Sequence, residues 1–212
     1  MGFVKKHACT FLALSFFLFV CDFLIYAQGS DVEIYNFDGK VSLIRDTKEI
    51  PFKVDMICEK NDSVRTGEDG FLDFSFYSFA GSRVGPSSEC ILVKKSEEEI
   101  RLRLKIGTLL VNMKEPPQDA VFEIEGPLAI ASVKEKSQFW VRVLLKDKKM
   151  TVIFAVSRGT LSLRLEKSGA TVMVPEGHEV EIYEDTYIPS LRPISDEKTK
   201  ILEKAGTVLI AI

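Results

Sequence analysis

The chain has 212 residues, of which 46% are hydrophobic and 28% charged, with a formal net charge of −3 at pH 7. That length gives one domain with enough chain for a sizeable core. The mildly acidic balance lacks the basic footprint that nucleic-acid binding needs.

The first element is a targeting segment. Lys5, Lys6 and His7 precede an apolar run from Phe11 to Cys21, and Ala27 stands before the polar Gln28-Gly29-Ser30. A basic start, a short apolar stretch and a small residue before a polar one make a secretory signal peptide over 1–27, cleaved after Ala27. Two other outcomes use the same residues: an uncleaved anchor over 11–26, with Asp22 costly to bury, or a lipoprotein modified at Cys21. All three export the remainder to the periplasm or cell envelope, and membrane contact is expected only through this segment. Cleavage would leave about 185 residues and, by removing Lys5, Lys6 and Asp22, move the charge to about −4.

From residue 28 to 194 the pattern is almost entirely β. The stretch Asn61 to Phe76 reads as a turn, a short strand, a Thr66-Gly67 turn, a second turn at Asp69-Gly70 and a strand in which Leu72, Phe74 and Phe76 alternate. Ile100 to Ile106 alternates strictly, with Arg101, Arg103 and Lys105 on the other face. Phe139–Leu145 and Met150–Val156 are rich in β-branched and aromatic residues, and Leu161–Glu166 alternates again. The Pro116-Pro117 segment is a surface loop, since proline cannot donate to a central ladder. A weak repeat runs through the chain: Gly39, Gly107, Gly159 and Gly177 each lead an alternating strand. The expected class is all-β, either a meandering β-sandwich or a short β-solenoid. Residues 195–212 add one short helix capped by Ser195 and ended at Ala205-Gly206, then an apolar tail, Val208–Ile212. The tail reads as a last docked strand or as a free strand for a partner's sheet edge.

Two cysteines follow the targeting segment, Cys58 and Cys90. In an exported chain an even pair suggests a disulfide, here closing a loop of about 30 residues. Two buried free thiols are the alternative.

The ordered elements resemble the FecR domain, an extracytoplasmic β module, over Val32 to Glu184. The resemblance rests on Gly39-Lys40-Val41-Ser42-Leu43, on Asn61 through Phe76, on Gly81 to Ser88, on Leu104 to Leu109, on Phe122 to Pro127, on Gly159 to Leu163 and on Gly177 to Ile182. One departure stands out: the family's Val-Arg-Gly-Thr-type turn is replaced by Val133-Lys134-Glu135-Lys136-Ser137, without glycine. The founding members are membrane regulators of sigma factors and carry a cytoplasmic helical domain. Here only Met1 to Thr10 precede the apolar run. The resemblance therefore implies an exported FecR-like module and not the sigma-factor mechanism.

No catalytic or cofactor constellation is legible. His178 is the only histidine after the targeting segment and sits in a polar turn, with no nucleophile elbow elsewhere in the sequence. Cys58, Cys90 and His178 lack paired metal-ligand spacing, and Asp69 with Asp73 lack an oxygen-rich calcium loop. Glu97-Glu98-Glu99 reads as a solvated turn. The expected role is non-enzymatic: an interaction or sensory module for an envelope protein, working through turns such as Arg65-Thr66-Gly67 and Gly81 to Ser88. The alternative is a cell-wall polymer binder using Trp140 and the cationic row Arg101, Arg103 and Lys105; the plainer readings of the same residues are a tryptophan filling the core or an inter-sheet seam and the wet side of a half-buried sheet.

Overall fold

The computed structural model describes residues 32–53, 56, 58–77, 79–96, 98–196 and 198–203. The expected targeting segment, Ala205-Gly206 and the apolar tail lie outside them. The strands are β1 (Val32–Asp38), β2 (Val41–Arg45), β3 (Lys48–Pro51), β4 (Ser63–Thr66), β5 (Phe71–Phe76), β6 (Ala80–Val84), β7 (Glu89–Lys95) and β8 (Glu99–Met113), then β9 (Val121–Glu125), β10 (Ala129–Val133), β11 (Ser137–Lys146), β12 (Lys149–Arg158), β13 (Thr160–Leu165), β14 (Thr171–Pro175), β15 (His178–Tyr183) and β16 (Leu191–Pro193). One short helix, α1, covers residues 196 and 198–203. Its first turn is held at Ser195, whose hydroxyl accepts from the Lys198 amide at 3.4 Å and whose carbonyl accepts from Thr199 at 3.0 Å. The all-β class read from the alternation is the observed one. No helix among the described residues is long and apolar enough to cross a membrane.

The strands form two sheets that share β8. The first sheet runs β1-β5-β6-β8-β11-β12-β15-β16, and the second runs β3-β2-β4-β7-β8-β9-β10-β13-β14. Residues 99–106 of β8 pair with β7 and β9, whereas 107–113 pair with β6 and β11. Every pairing is antiparallel except β8 with β9. A parallel neighbour requires a crossover. The second half of β8 and the Pro116-Pro117 loop supply it.

After β8 the chain alternates hairpins: β9–β10 in the second sheet, β11–β12 in the first, β13–β14 in the second, β15–β16 in the first. Each glycine of the weak repeat lies at a passage of the chain from one sheet to the other, although other passages, such as β10–β11, carry none of them. Gly39 lies between β1 and β2, Gly107 inside β8, Gly159 between β12 and β13, and Gly177 between β14 and β15, all with positive φ. The constraint is sharpest at Gly107, with φ +93°, where an added Cβ would collide with the Cα and side chain of Ser88.

The core lies between the inner faces. Leu72, Phe74 and Phe76 of the first sheet share one buried cluster with Leu43, Val64, Leu102 and Phe122 of the second. Phe76 and Phe122 meet edge-on across the interface, centroids 5.9 Å apart. Each fully buried phenylalanine contributes roughly 1.5–3 kcal/mol through removal of apolar surface from water. Ile106 departs from the alternation that puts Ile100, Leu102 and Leu104 inside, being 42% exposed. A bulge opposite Glu89-Cys90 adds one residue, Lys105, and turns Ile106 outward just before the Gly107 corner.

The glycine-free turn at 133–137 is built from a serine. Ser137 Oγ donates to the Glu135 carbonyl at 3.0 Å and is 1% exposed. Gly159 packs against this turn, where a Cβ would stand 2.6 Å from Ser137 Oγ. Ser88 and Gly107 make the same arrangement, with Ser88 Oγ donating to the Pro86 carbonyl at 3.0 Å.

Candidate functional site

In the Arg65-Thr66-Gly67 turn Thr66 is buried, Gly67 half-buried and Arg65 exposed. Thr66 is 4% exposed; its hydroxyl donates to the Gly85 carbonyl at 2.6 Å and accepts from the Ser88 amide at 2.9 Å. The Gly67 amide donates to Lys40, and its carbonyl accepts from Ser87 and Gly70. Thr66, buried, is therefore withdrawn from the expected interaction surface, and with Gly67 it ties the β4–β5 and β6–β7 crossings together. Most of Gly81 to Ser88 is buried as well, with Pro86 and Ser87 exposed.

The cations of β8 and β4 form a row on the outer face of the second sheet, and carboxylates occupy it. Arg65 and Lys105 converge on Glu89, at 2.9 and 2.6 Å. Arg103 pairs with Glu125 at 2.6 Å, and Arg101 pairs with Glu99 at 2.7 Å and Glu123 at 2.8 Å. Lys94 also holds Glu99. Burial raises the Glu89 carboxyl, but the hydrogen bonds from Lys105 and Arg65 outweigh it and leave it below the usual range. The row is thus a cross-strand ion ladder, without the uncompensated charge that a polyanion would seek.

The outer face of the first sheet carries a different row. Register sets Asn36, Asp73, Arg83, Leu110, Trp140, Ala155, Glu179 and Arg192 side by side on successive strands. At one end Arg83 grips the fully buried Asp73 with two hydrogen bonds of 2.6 Å and lies 4.5 Å from the Phe71 ring. Burial, then the Asp73 charge, pushes the adjacent Tyr35 hydroxyl far up. Asp73 is therefore a structural anion with its own cation. Sequence spacing offered no sign of this, because Asp73 and Arg83 meet only through the β5–β6 register.

At the centre of that row α1 lies over the sheet. Leu202 packs with Leu110, Ala155, Trp140 and Ile194 in a small cluster outside the main core. Gln138 Nε2 donates to the Leu202 carbonyl at 2.7 Å. Lys198 bonds Glu179 at 2.6 Å, with its ammonium 5.8 Å from the Trp140 ring. Trp140 is half-buried here, not in the core between the sheets. Beside it opens a cleft of about 290 Å³, lined by Pro86, Thr108, Trp140, Arg142, Lys198, Ile201 and Leu202. Thr108 and Arg142 are cross-strand neighbours on its floor. This cleft is the candidate site. Of the interaction residues singled out in the sequence, Trp140 lines it, together with Pro86 of the Gly81 to Ser88 stretch; Arg142 was legible only as an outward position of β11.

The remaining candidates lie apart from the cleft. His178 opens β15, with Nδ1 2.9 Å from the Glu176 carbonyl. Cys58 and Cys90 are unbonded and buried, and both line a small cavity with Phe74, Phe76, Leu92 and Leu102. Burial pushes both thiols up to about 12.

No family model and no curated protein matches the chain. Among solved structures, two crystal structures described as "a putative anti-sigma factor" from Parabacteroides distasonis share the fold. Their TM-scores are 0.53 and 0.54 at 9% identity, over 65% of this chain and 62% of that one. The chain thus spans less than two thirds of that protein's length. At this identity the likeness concerns the fold alone.

Proposed function

We propose that this chain is an exported, non-enzymatic FecR-like module that binds or senses a protein of the cell envelope. The observation that carries the reading is the two-sheet fold, with its glycine crossings in the family's order. Its likeness to a protein described as "a putative anti-sigma factor" adds a regulatory or sensory setting. The basic, apolar segment at 1–27 supports export. In-cell cross-linking of the tagged chain, followed by mass spectrometry of the envelope fraction, tests it. A single stoichiometric protein partner is expected, and its absence overturns the reading.

The Trp140 cleft favours a second reading, a module for cell-wall polymer. An aromatic face beside an open cation can stack on and orient a sugar or peptide fragment. Recovery of glycan or peptidoglycan fragments without a dominant protein would select it. Cys58 and Cys90, which border one cavity, complete the proposal as a pair for disulfide closure in an oxidising compartment. Alkylation before and after reduction tests the bond, and full labelling of the unfolded chain without reductant removes it.

A further inference from the structure

We propose that the cleft between α1 and the outer face of the first sheet binds a small apolar molecule or chain end carrying one carboxylate. This goes beyond the module reading and stands without it.

Three features define the ligand. The first is charge. Arg142 lies on the cleft floor, exposed, and has no hydrogen bond or ion pair among the described residues. Its position contrasts with Lys198, whose ammonium is held by Glu179, and with Arg101 and Arg103, which the ladder neutralises. A lone guanidinium offers a planar fork of donors matched to one carboxylate. A polyphosphate or polyanionic strand would want several free cations, and the neighbouring Lys198 is already spent.

The second feature is the walls. Trp140 provides an aromatic face, and Ile201, 52% exposed, leaves an apolar side chain at the rim. Covering these two surfaces removes apolar area from water, which drives association without direction. The carboxylate–Arg142 pair then orients the ligand. The third feature is size. About 290 Å³ stands at the lower end of ligand sites, which run from roughly 300 to 1,000 Å³. The space accepts a group about the size of one large apolar residue with its terminal carboxylate, not an extended polymer.

The only tryptophan of the chain lines the site, so its fluorescence reports occupancy directly. The probes are N-acetyl-leucine and N-acetyl-leucinamide, which differ only in the anion, titrated into the purified chain. The acid is expected to shift Trp140 emission saturably and to bind about ten-fold or more tightly than the amide. Arg142→Gln, an exposed substitution, should bring the acid down to the level of the amide while leaving the thermal midpoint unchanged. Ile201→Ser should weaken both probes together. Equal binding of acid and amide, an Arg142→Gln protein that keeps the preference, or no saturable response to the acid would each overturn the proposal.

Discussion

Gly107 and Asp73 show how much a single residue decides here. A side chain at 107 faces two penalties, a φ of +93° and a collision with Ser88. Gly107→Ala should therefore destabilise by about 2–4 kcal/mol, read from the urea midpoint. Gly177 has a similar φ but nothing within 4 Å of an added Cβ. Gly177→Ala should cost only about 1–2 kcal/mol, the backbone part alone. Asp73 is 0% exposed and opposes an Arg83 side chain that is 21% exposed. Asp73→Ala should cost about 3–5 kcal/mol, because it strands a partly buried cation. Pairing it as Asp73→Leu with Arg83→Met should recover most of that loss.

Among the elements, β8 joins the two sheets and carries both rows of outward side chains. Its first half displays Arg101, Arg103 and Lys105 to the carboxylates of β7 and β9; its second half places Thr108 and Leu110 beside Trp140. The ion ladder is exposed, so its share of stability is modest. Glu89→Gln removes the nearer partner of Arg65 and the partner of Lys105, whose side chains are 49% and 51% exposed. The expected loss is about 1 kcal/mol or less. The sign of the pH dependence follows from the direction of the shift. Glu89 sits below its ordinary value, so its stabilising contribution is present above that value and is lost as pH falls through the lower, folded one. Acid unfolding curves of the Glu89→Gln variant should therefore converge on the parent below about pH 4. A constant gap across that range would contradict the ladder.

For the whole molecule, the two thiols link core packing to solution conditions. Cys58 and Cys90 are neutral in the core, and burial lifts both to about 12. Because the folded value is raised, this contribution is complete below the unfolded thiol value, near 8.5, and disappears as pH rises toward 12. The reduced chain should lose urea resistance between about pH 9 and 11. A chain with the pair closed as a disulfide should lose less over the same range. Native thiols should also resist iodoacetamide at pH 8 until urea unfolds the core, and rapid native labelling would contradict the burial.

The class of fold was written in short-range patterns. Alternation marked the inward set Leu72, Phe74 and Phe76, and glycines at 39, 107, 159 and 177 marked sharp turns at strand heads that proved to be passages between the sheets, because a two-residue period and a positive φ are local properties. Turns without glycine, such as Asp147-Lys148 with φ of 51° and 63°, left no such mark. The site was barely legible. Trp140 drew notice as the single tryptophan, yet its face depended on α1 folding back over β8, β11 and β12. Arg101, Arg103 and Lys105 look like a free cationic face in one dimension, and only the neighbouring strands brought Glu89, Glu99, Glu123 and Glu125 to them. By itself the sequence determined an all-β chain, its glycine-led strands and the inward sets of its clearest alternating strands. Tertiary structure decided which charges were spent and which remained, since pairing across strands depends on register between residues far apart in the chain. That is why Arg142, unremarked in the sequence, stands open in the cleft while the conspicuous cations of β8 do not.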